Sequence, residues 1–99
     1  MITQYTIGAD EWTAITSAGE SGSCWLDEEG NGRRGKGSVR IYHSASGVPT
    51  AAKLTEGKKV YQPSGNNDVC IISADSVDDI YYARCKNVGD QVVITVDVI

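Results

Sequence analysis

The residues best suited to chemistry lie in one acidic, glycine-rich segment between two apolar stretches. Oxygen-bearing side chains occupy alternate positions there and a glycine follows, in the order Asp27, Glu29, Asn31 and Gly32. The opening of an EF-hand calcium loop has the same spacing, because alternate side-chain oxygens ligate the ion and the glycine makes the sharp turn. The segment is therefore a candidate calcium site.

The remainder of the segment argues against tight calcium binding. An EF-hand loop ends on a glutamate that gives both carboxylate oxygens to the ion, and Ser38 stands at that position. Positive side chains also follow the acidic ones, namely Arg33, Arg34 and Lys36. Two interpretations stay open. One is a weak calcium site; the other, which we favour, is an exposed hairpin tip of mixed charge that holds no metal.

An exposed hairpin tip is suited to recognising another protein. Loops on a rigid sheet carry much of protein function. Arginine side chains at such a tip can pair with carboxylates on a partner surface. We therefore predict that Arg33, Arg34 and Lys36 contact a partner protein.

Motifs for catalysis and cofactor binding are missing from the sequence. A serine hydrolase needs a nucleophile elbow, GxSxG, and residues 19–23 read GESGS, without the final glycine. The single histidine, His43, has no evident catalytic partner along the chain. The cysteines are too scattered to complete a zinc site with it, and no phosphate-binding loop occurs. We expect no enzymatic activity and no cofactor.

Charge and hydropathy exclude two further classes of function. The net charge is -4 and the pI is about 4.7, whereas nucleic-acid-binding domains present a basic face. No apolar run approaches the roughly 20 residues of a membrane span. The N-terminus lacks the basic and apolar regions of a signal peptide. We expect a soluble protein that binds neither nucleic acid nor membranes and is not exported by the usual route.

Three cysteines, Cys24, Cys70 and Cys85, give an odd count and form no CxxC motif. Each lies in an apolar run, where a cysteine behaves as a small hydrophobic residue. A disulfide framework calls for an even number. We expect reduced thiols, with a Cys70–Cys85 bridge between neighbouring strands as the alternative.

The dominant period of the sequence is two, which is typical of β-strands. In QVVITVDVI the residues Val92, Ile94, Val96 and Val98 share one face, which predicts a strand with that face on the core. VCIISA and DIYYARC are apolar on both faces, which favours central strands. Turn residues separate about eight such stretches. The sequence predicts an all-β, antiparallel β-sandwich of jelly-roll type, formed by residues 1–99 as a single domain.

Aromatic residues and the last strand are candidates for contact with other molecules. The chain has no Phe, so its two Trp and five Tyr residues are expected to supply the core and its borders. Tyr81 and Tyr82 are adjacent, so they point to opposite faces. One of them, Tyr82 in our prediction, reaches a contact surface unless both sheet faces are covered. Val93 and Ile99 lie on the other face of the last strand and are predicted to contact a partner subunit.

Five blocks of the sequence resemble small structural proteins of tailed phages and prophages, such as head-decoration or fibre-like proteins. They cover most of the chain and are WTAITSAGESGSCWLD (12–27), VRIYHSASGVP (39–49), GKKVY (57–61), GNNDV (65–69) and YYARCKN (81–87). The resemblance implies a virion structural role, a β-sandwich or jelly-roll fold and assembly on a symmetric lattice. It implies no catalytic residue.

These observations lead to one expected function and one alternative. We expect a non-enzymatic virion protein, made in the host bacterial cytoplasm, that binds capsid or other virion proteins and forms a homo-oligomer, a dimer or trimer. The alternative is a carbohydrate-binding β-sandwich that stacks sugars on exposed tyrosines.

Overall fold

Alternating apolar residues form antiparallel strands throughout the part of the chain that the computed structural model describes, residues 1–26, 39–50, 58–59 and 69–99. The strands of this part are β1 (Ile2–Ile7), β2 (Thr13–Ala14), β3 (Gly22–Leu26), β4 (Val39–Ser44), β5 (Lys58–Lys59), β6 (Val69–Ile72), β7 (Ile80–Cys85) and β8 (Val92–Val98). The described residues contain no helix that could span a membrane. The prediction of an all-β chain is confirmed.

The strands form two antiparallel sheets of four strands each. The first has the order β1-β8-β3-β6, and the second has the order β2-β7-β4-β5. Every pairing between them is antiparallel. Strand β7 lies between two neighbours, as its apolar character predicted. Strand β6 was predicted to be central as well, and this is wrong in the described structure, since β6 stands at the edge of the first sheet.

The pairings are nested along the chain. The first strand pairs with the eighth, the second with the seventh, the third with the sixth and the fourth with the fifth. Successive nested pairs alternate between the two sheets. Within each sheet the inner and outer pairs are joined by one further contact, β3 with β8 in the first and β4 with β7 in the second.

Side chains from both sheets meet in one buried cluster. The inward-facing residues of the last strand, Val92, Ile94 and Val96, are buried as their alternation predicted, and Val98 packs against them. Burying one such aliphatic side chain contributes about 1.5–3 kcal/mol. The second sheet contributes apolar side chains from β4 and β7 to the same cluster. Burial of these two inner faces explains the period of two.

Both adjacent tyrosines are buried, so the prediction that Tyr82 reaches a contact surface is wrong. Tyr81 is 1% exposed on the inner face and Tyr82 is 5% exposed on the outer face of the second sheet. Tyr42 lies directly opposite Tyr82 and contacts the ring of Trp12, with 6.2 Å between centroids. The indole of Trp12 is itself buried and donates a hydrogen bond to the Thr50 carbonyl. Both faces of β7 are covered at this point.

The cysteines are arranged differently from the bridge considered above. Cys24 lies directly opposite Cys70 across the β3–β6 pair. Cys85 belongs to the other sheet, where its thiol donates to the Ile7 carbonyl. A bridge between Cys70 and Cys85 as residues of neighbouring strands is therefore ruled out.

Candidate functional site

Three polar side chains converge at one end of the second sheet. The Nδ1 atom of His43 lies 3.0 Å from Oδ2 and 3.2 Å from Oδ1 of Asp79. The same nitrogen lies 3.6 Å from Oδ2 of Asp75. An ionised carboxylate only accepts hydrogen bonds, so Nδ1 carries the proton and donates to Asp79.

The turn between β6 and β7 holds the carboxylate of Asp79 in place. The Asp79 amide donates to the Ser76 carbonyl, and its own carbonyl accepts from the Gly19 amide. Its side chain reaches back to accept a hydrogen bond from the Asp75 amide at 3.0 Å. Asp and Ser residues form such local turns readily, because their short side chains bond to nearby backbone groups.

Tyr81 fixes the plane of the histidine ring. Tyr81 is the register partner of His43, and the two rings stack with 5.0 Å between centroids and 17° between planes. The Tyr81 hydroxyl donates to the Ser73 carbonyl at 3.0 Å and accepts from the Ser73 amide at 3.1 Å. The Tyr81 amide donates to the hydroxyl of Thr16. The imidazole is thus held both through its edge and through its face.

Burial makes the pairing of Asp79 necessary. The Asp79 side chain is 2% exposed, whereas His43 is partly exposed and Asp75 is mostly exposed. A carboxylate removed from water costs several kcal/mol unless hydrogen bonds and an opposite charge compensate it. The donors from His43 and from the Asp75 amide provide that compensation.

The arrangement has two chemical capacities. An Asp–His pair is the orienting half of a catalytic triad. Within the described part of the chain, however, no hydroxyl or thiol bonds to the imidazole as a nucleophile would. Nitrogen and carboxylate oxygens are also the ligands of zinc sites, and one atom from each of the three side chains lies within 4.8 Å of the others. In this structure, hydrogen bonds already satisfy the buried carboxylate.

The sequence-predicted site residues do not meet at this cluster. Those of the acidic segment lie outside the described residues: Asp27, Glu29, Asn31, Arg33, Arg34 and Lys36. Tyr82 is buried, as described above. Val93 is half-buried on the outer face of the first sheet, and Ile99 is fully exposed at the chain end.

The register places Val93 beside an apolar surface that the sequence did not predict. We define the outer patch as Trp25, Val69, Ile71 and Val93, which share the outer face of the first sheet. Ile71 is 64% exposed and Val69 is also exposed, while Trp25 is half-buried. Buried Thr95 lies between Trp25 and the amide of Gln4, which donates to its hydroxyl. The patch escaped prediction because β6 was assigned to a central position.

The His43–Asp79 pair also escaped prediction. The two residues are 36 positions apart, and no local spacing connects them. Only the one-strand offset between β4 and β7 brings them together.

Known proteins provide no identity for this arrangement. Comparisons with protein-family models, with curated proteins and with solved structures found no match to the chain. Function is therefore inferred from the strand pairing, the polar cluster and the outer patch.

Proposed function

We propose that this chain is a non-enzymatic structural protein of a phage or prophage virion, a capsid-decoration or other virion-associated protein that acts through protein–protein contacts. We further propose that its two sheets pack face to face as a β-sandwich of jelly-roll type. The protein would be made in the bacterial cytoplasm and incorporated into the particle.

The nested pairing of the eight strands is the observation that carries this proposal. Pairs β1–β8 and β3–β6 fall in one sheet, and pairs β2–β7 and β4–β5 fall in the other. Wrapping one long antiparallel ribbon around a core produces this alternation. Jelly rolls are built in this way and recur in viral capsid and lectin domains. The shared buried cluster supports the packing of one sheet on the other.

The outer patch provides a surface for assembly. Strand β6 has the sequence VCII, without a charged residue, and stands at a sheet edge in the described structure. Exposed edges without charge pair readily with other strands. The opposite situation holds at β5, an edge strand whose two residues are both lysines. We assign a second copy of this chain as the occupant of the β6 edge, since two identical uncharged edges can pair antiparallel about a two-fold axis.

The carbohydrate-binding alternative has less support. None of the four tyrosines in the described part of the chain is exposed: Tyr5 and Tyr42 are half-buried, and Tyr81 and Tyr82 are buried. Sugar stacking needs an accessible aromatic face, so these residues do not form an open platform.

The oligomeric state tests the assembly surface. Light scattering coupled to size-exclusion chromatography, run with calcium and with EDTA, should detect a discrete oligomer that chelation leaves intact. Ile71→Lys should convert it to a monomer. Ile2→Lys is the matched control, because Ile2 is also 64% exposed on this face but lies at the β1 edge, in the same cross-strand row.

Three other results would contradict the proposed assembly. A monomer under both conditions would remove the second copy and lead to a glycan screen. Dissociation by EDTA would make the acidic segment a calcium site that holds the oligomer together. Equal effects of both substitutions would separate assembly from the β6 edge.

Particle composition tests the virion role itself. Mass spectrometry of particles purified after induction of a lysogen carrying the gene should find the protein in fixed proportion to the capsid protein. Its absence from washed particles would overturn the proposal.

A further inference from the structure

A pair of thiols faces each other at the edge of the first sheet. Cys24 in β3 is the register partner of Cys70 in β6. The Cys24 side chain is buried, and the Cys70 side chain is half-buried. The two side chains are also hydrogen-bonded to each other, which together with burial raises the pKa of the Cys24 thiol.

The backbone geometry of such a pair suits a disulfide. Directly opposed residues of antiparallel strands have Cα atoms about 4.5 or 5.5 Å apart, depending on whether they exchange hydrogen bonds. Disulfides span Cα separations of about 4.4–6.8 Å. Either kind of pair therefore falls within the range, and the bond can form without moving the strands apart.

We propose that Cys24 and Cys70 form a cross-strand disulfide when the protein passes from a reducing cytoplasm to an oxidising medium. The inference holds whether or not the chain is a virion protein, because it depends on the β3–β6 register alone. The co-reactant is a small-molecule disulfide such as oxidised glutathione. Structural disulfides persist in oxidising surroundings and are rare in the cytosol.

The reaction proceeds by two thiol–disulfide exchanges. The Cys70 thiolate attacks one sulfur of the small disulfide, which forms a mixed disulfide on Cys70 and releases one small thiol. The Cys24 thiolate then attacks the sulfur of Cys70, which forms the protein disulfide and releases the second small thiol. Two protein thiols are oxidised, one small disulfide is reduced to two thiols, and the two protein protons pass to the leaving thiolates.

Accessibility and acidity set the order of these steps. Cys70 reacts first because it is the accessible member of the pair. The thiolate is the attacking species, and the raised pKa of Cys24 keeps its thiolate scarce at neutral pH. Closure is therefore the slow step and should accelerate with rising pH. Cys85 is buried in the other sheet and takes no part.

The disulfide would fix the edge that carries the outer patch. Trp25 and Val69, which follow Cys24 and precede Cys70, are themselves register partners. A bond beside them ties β6 to β3 and closes the whole stretch between residues 24 and 70 into a loop. Closing a long loop stabilises the folded state mainly by restricting the unfolded chain.

Thiol trapping tests the proposal on the folded, full-length protein. The protein is incubated with oxidised glutathione, quenched with acid, alkylated under denaturing conditions and analysed by mass spectrometry. The expected product is a monomer with one alkylated cysteine, Cys85, and a linked pair of peptides containing Cys24 and Cys70. Its thermal unfolding midpoint should lie above that of the reduced protein and return after treatment with dithiothreitol.

Two variants separate the proposed bond from other thiol chemistry. Cys85→Ala should form the same bond and show the same rise in unfolding midpoint. Cys70→Ala, a change at a half-buried position, should remain fully reduced or acquire one glutathione without closing a ring. Three alkylated cysteines in the wild-type protein after prolonged oxidation, a bond that includes Cys85, or only intermolecular bonds would each overturn the proposal.

Discussion

His43 Nδ1 donates to Asp79 across 3.0 Å, and Asp79 is one of the most deeply buried polar residues in the described part of the chain. The contact joins the end of β4 to the turn that precedes β7. Because the same carboxylate accepts from the Asp75 amide, one side chain organises both a strand end and a turn. Removing either partner leaves a buried polar group without its compensation.

Substitution of Asp79 by Ala should lower the free energy of unfolding by about 3 kcal/mol, in the range for breaking a buried ion pair. The loss arises because His43 and the Asp75 amide both lose their acceptor. Urea unfolding followed by circular dichroism measures it. Asp78→Ala is the matched control, because this neighbouring side chain is exposed, and its effect should stay within about 0.5 kcal/mol. Equal losses in both variants would refute a structural role for the pair.

Substitution of Tyr81 by Phe should lower the free energy of unfolding by about 1–3 kcal/mol. The hydroxyl is the only group lost, and with it the two hydrogen bonds to the Ser73 backbone. Tyr5→Phe removes a hydroxyl that makes no hydrogen bond within the described structure, so that variant should unfold like the wild type. Thermal unfolding of both variants decides the matter, and an unchanged midpoint for Tyr81→Phe would contradict the assigned bonds.

Introduction of a methyl group at Gly22 should destabilise the first sheet. A Cβ at this position would overlap the carbonyl oxygen of Asp97 in the adjacent strand β8, so β3 and β8 must move apart. Overpacking of this kind typically costs about 1–3 kcal/mol. Gly8→Ala is the control, because nothing lies within 4 Å of the added atom. The unfolding midpoints in urea measure both, and a tolerated Gly22→Ala would mean that the β3–β8 register is different.

Alkaline pH should destabilise the reduced protein through Cys24. Its pKa is raised above the ordinary value of 9.0, first by the hydrogen bond with Cys70, then by burial and by the charge of the Cys70 thiolate. Above pH 9 the unfolded chain loses this proton while the folded chain keeps it, so the stability present below that pH declines as the pH rises. The limiting slope is about 1.4 kcal/mol per pH unit. Urea unfolding in a reducing buffer should give a shallower decline for Cys24→Ala, and parallel curves would show that Cys24 does not contribute.

The class of the fold could be predicted from the sequence because the signal is local. The alternation in QVVITVDVI depends only on the two-residue repeat of a strand, and Val92, Ile94 and Val96 are buried as it predicted. The pattern of β6 was equally clear but misleading. An apolar strand is compatible with a central position or with an edge whose outer face contacts another molecule, and sequence alone does not distinguish the two.

The local pattern was likewise silent about coverage. Tyr82 alternates with Tyr81 and was therefore expected to be accessible, but a second layer around Trp12 and Tyr42 covers that face. Coverage is a property of segments distant in sequence, so no periodicity reports it.

The sequence by itself determined the strand period, the positions of the turns, the acidic charge and the lack of known catalytic motifs. Tertiary structure alone decided which strands are neighbours, and with them the three relationships that matter here: His43 with Asp79, Cys24 with Cys70, and Trp25 with Val69. The physical reason is that a strand's own alternation selects its buried face, while its neighbours are selected by the packing of the whole chain around one core.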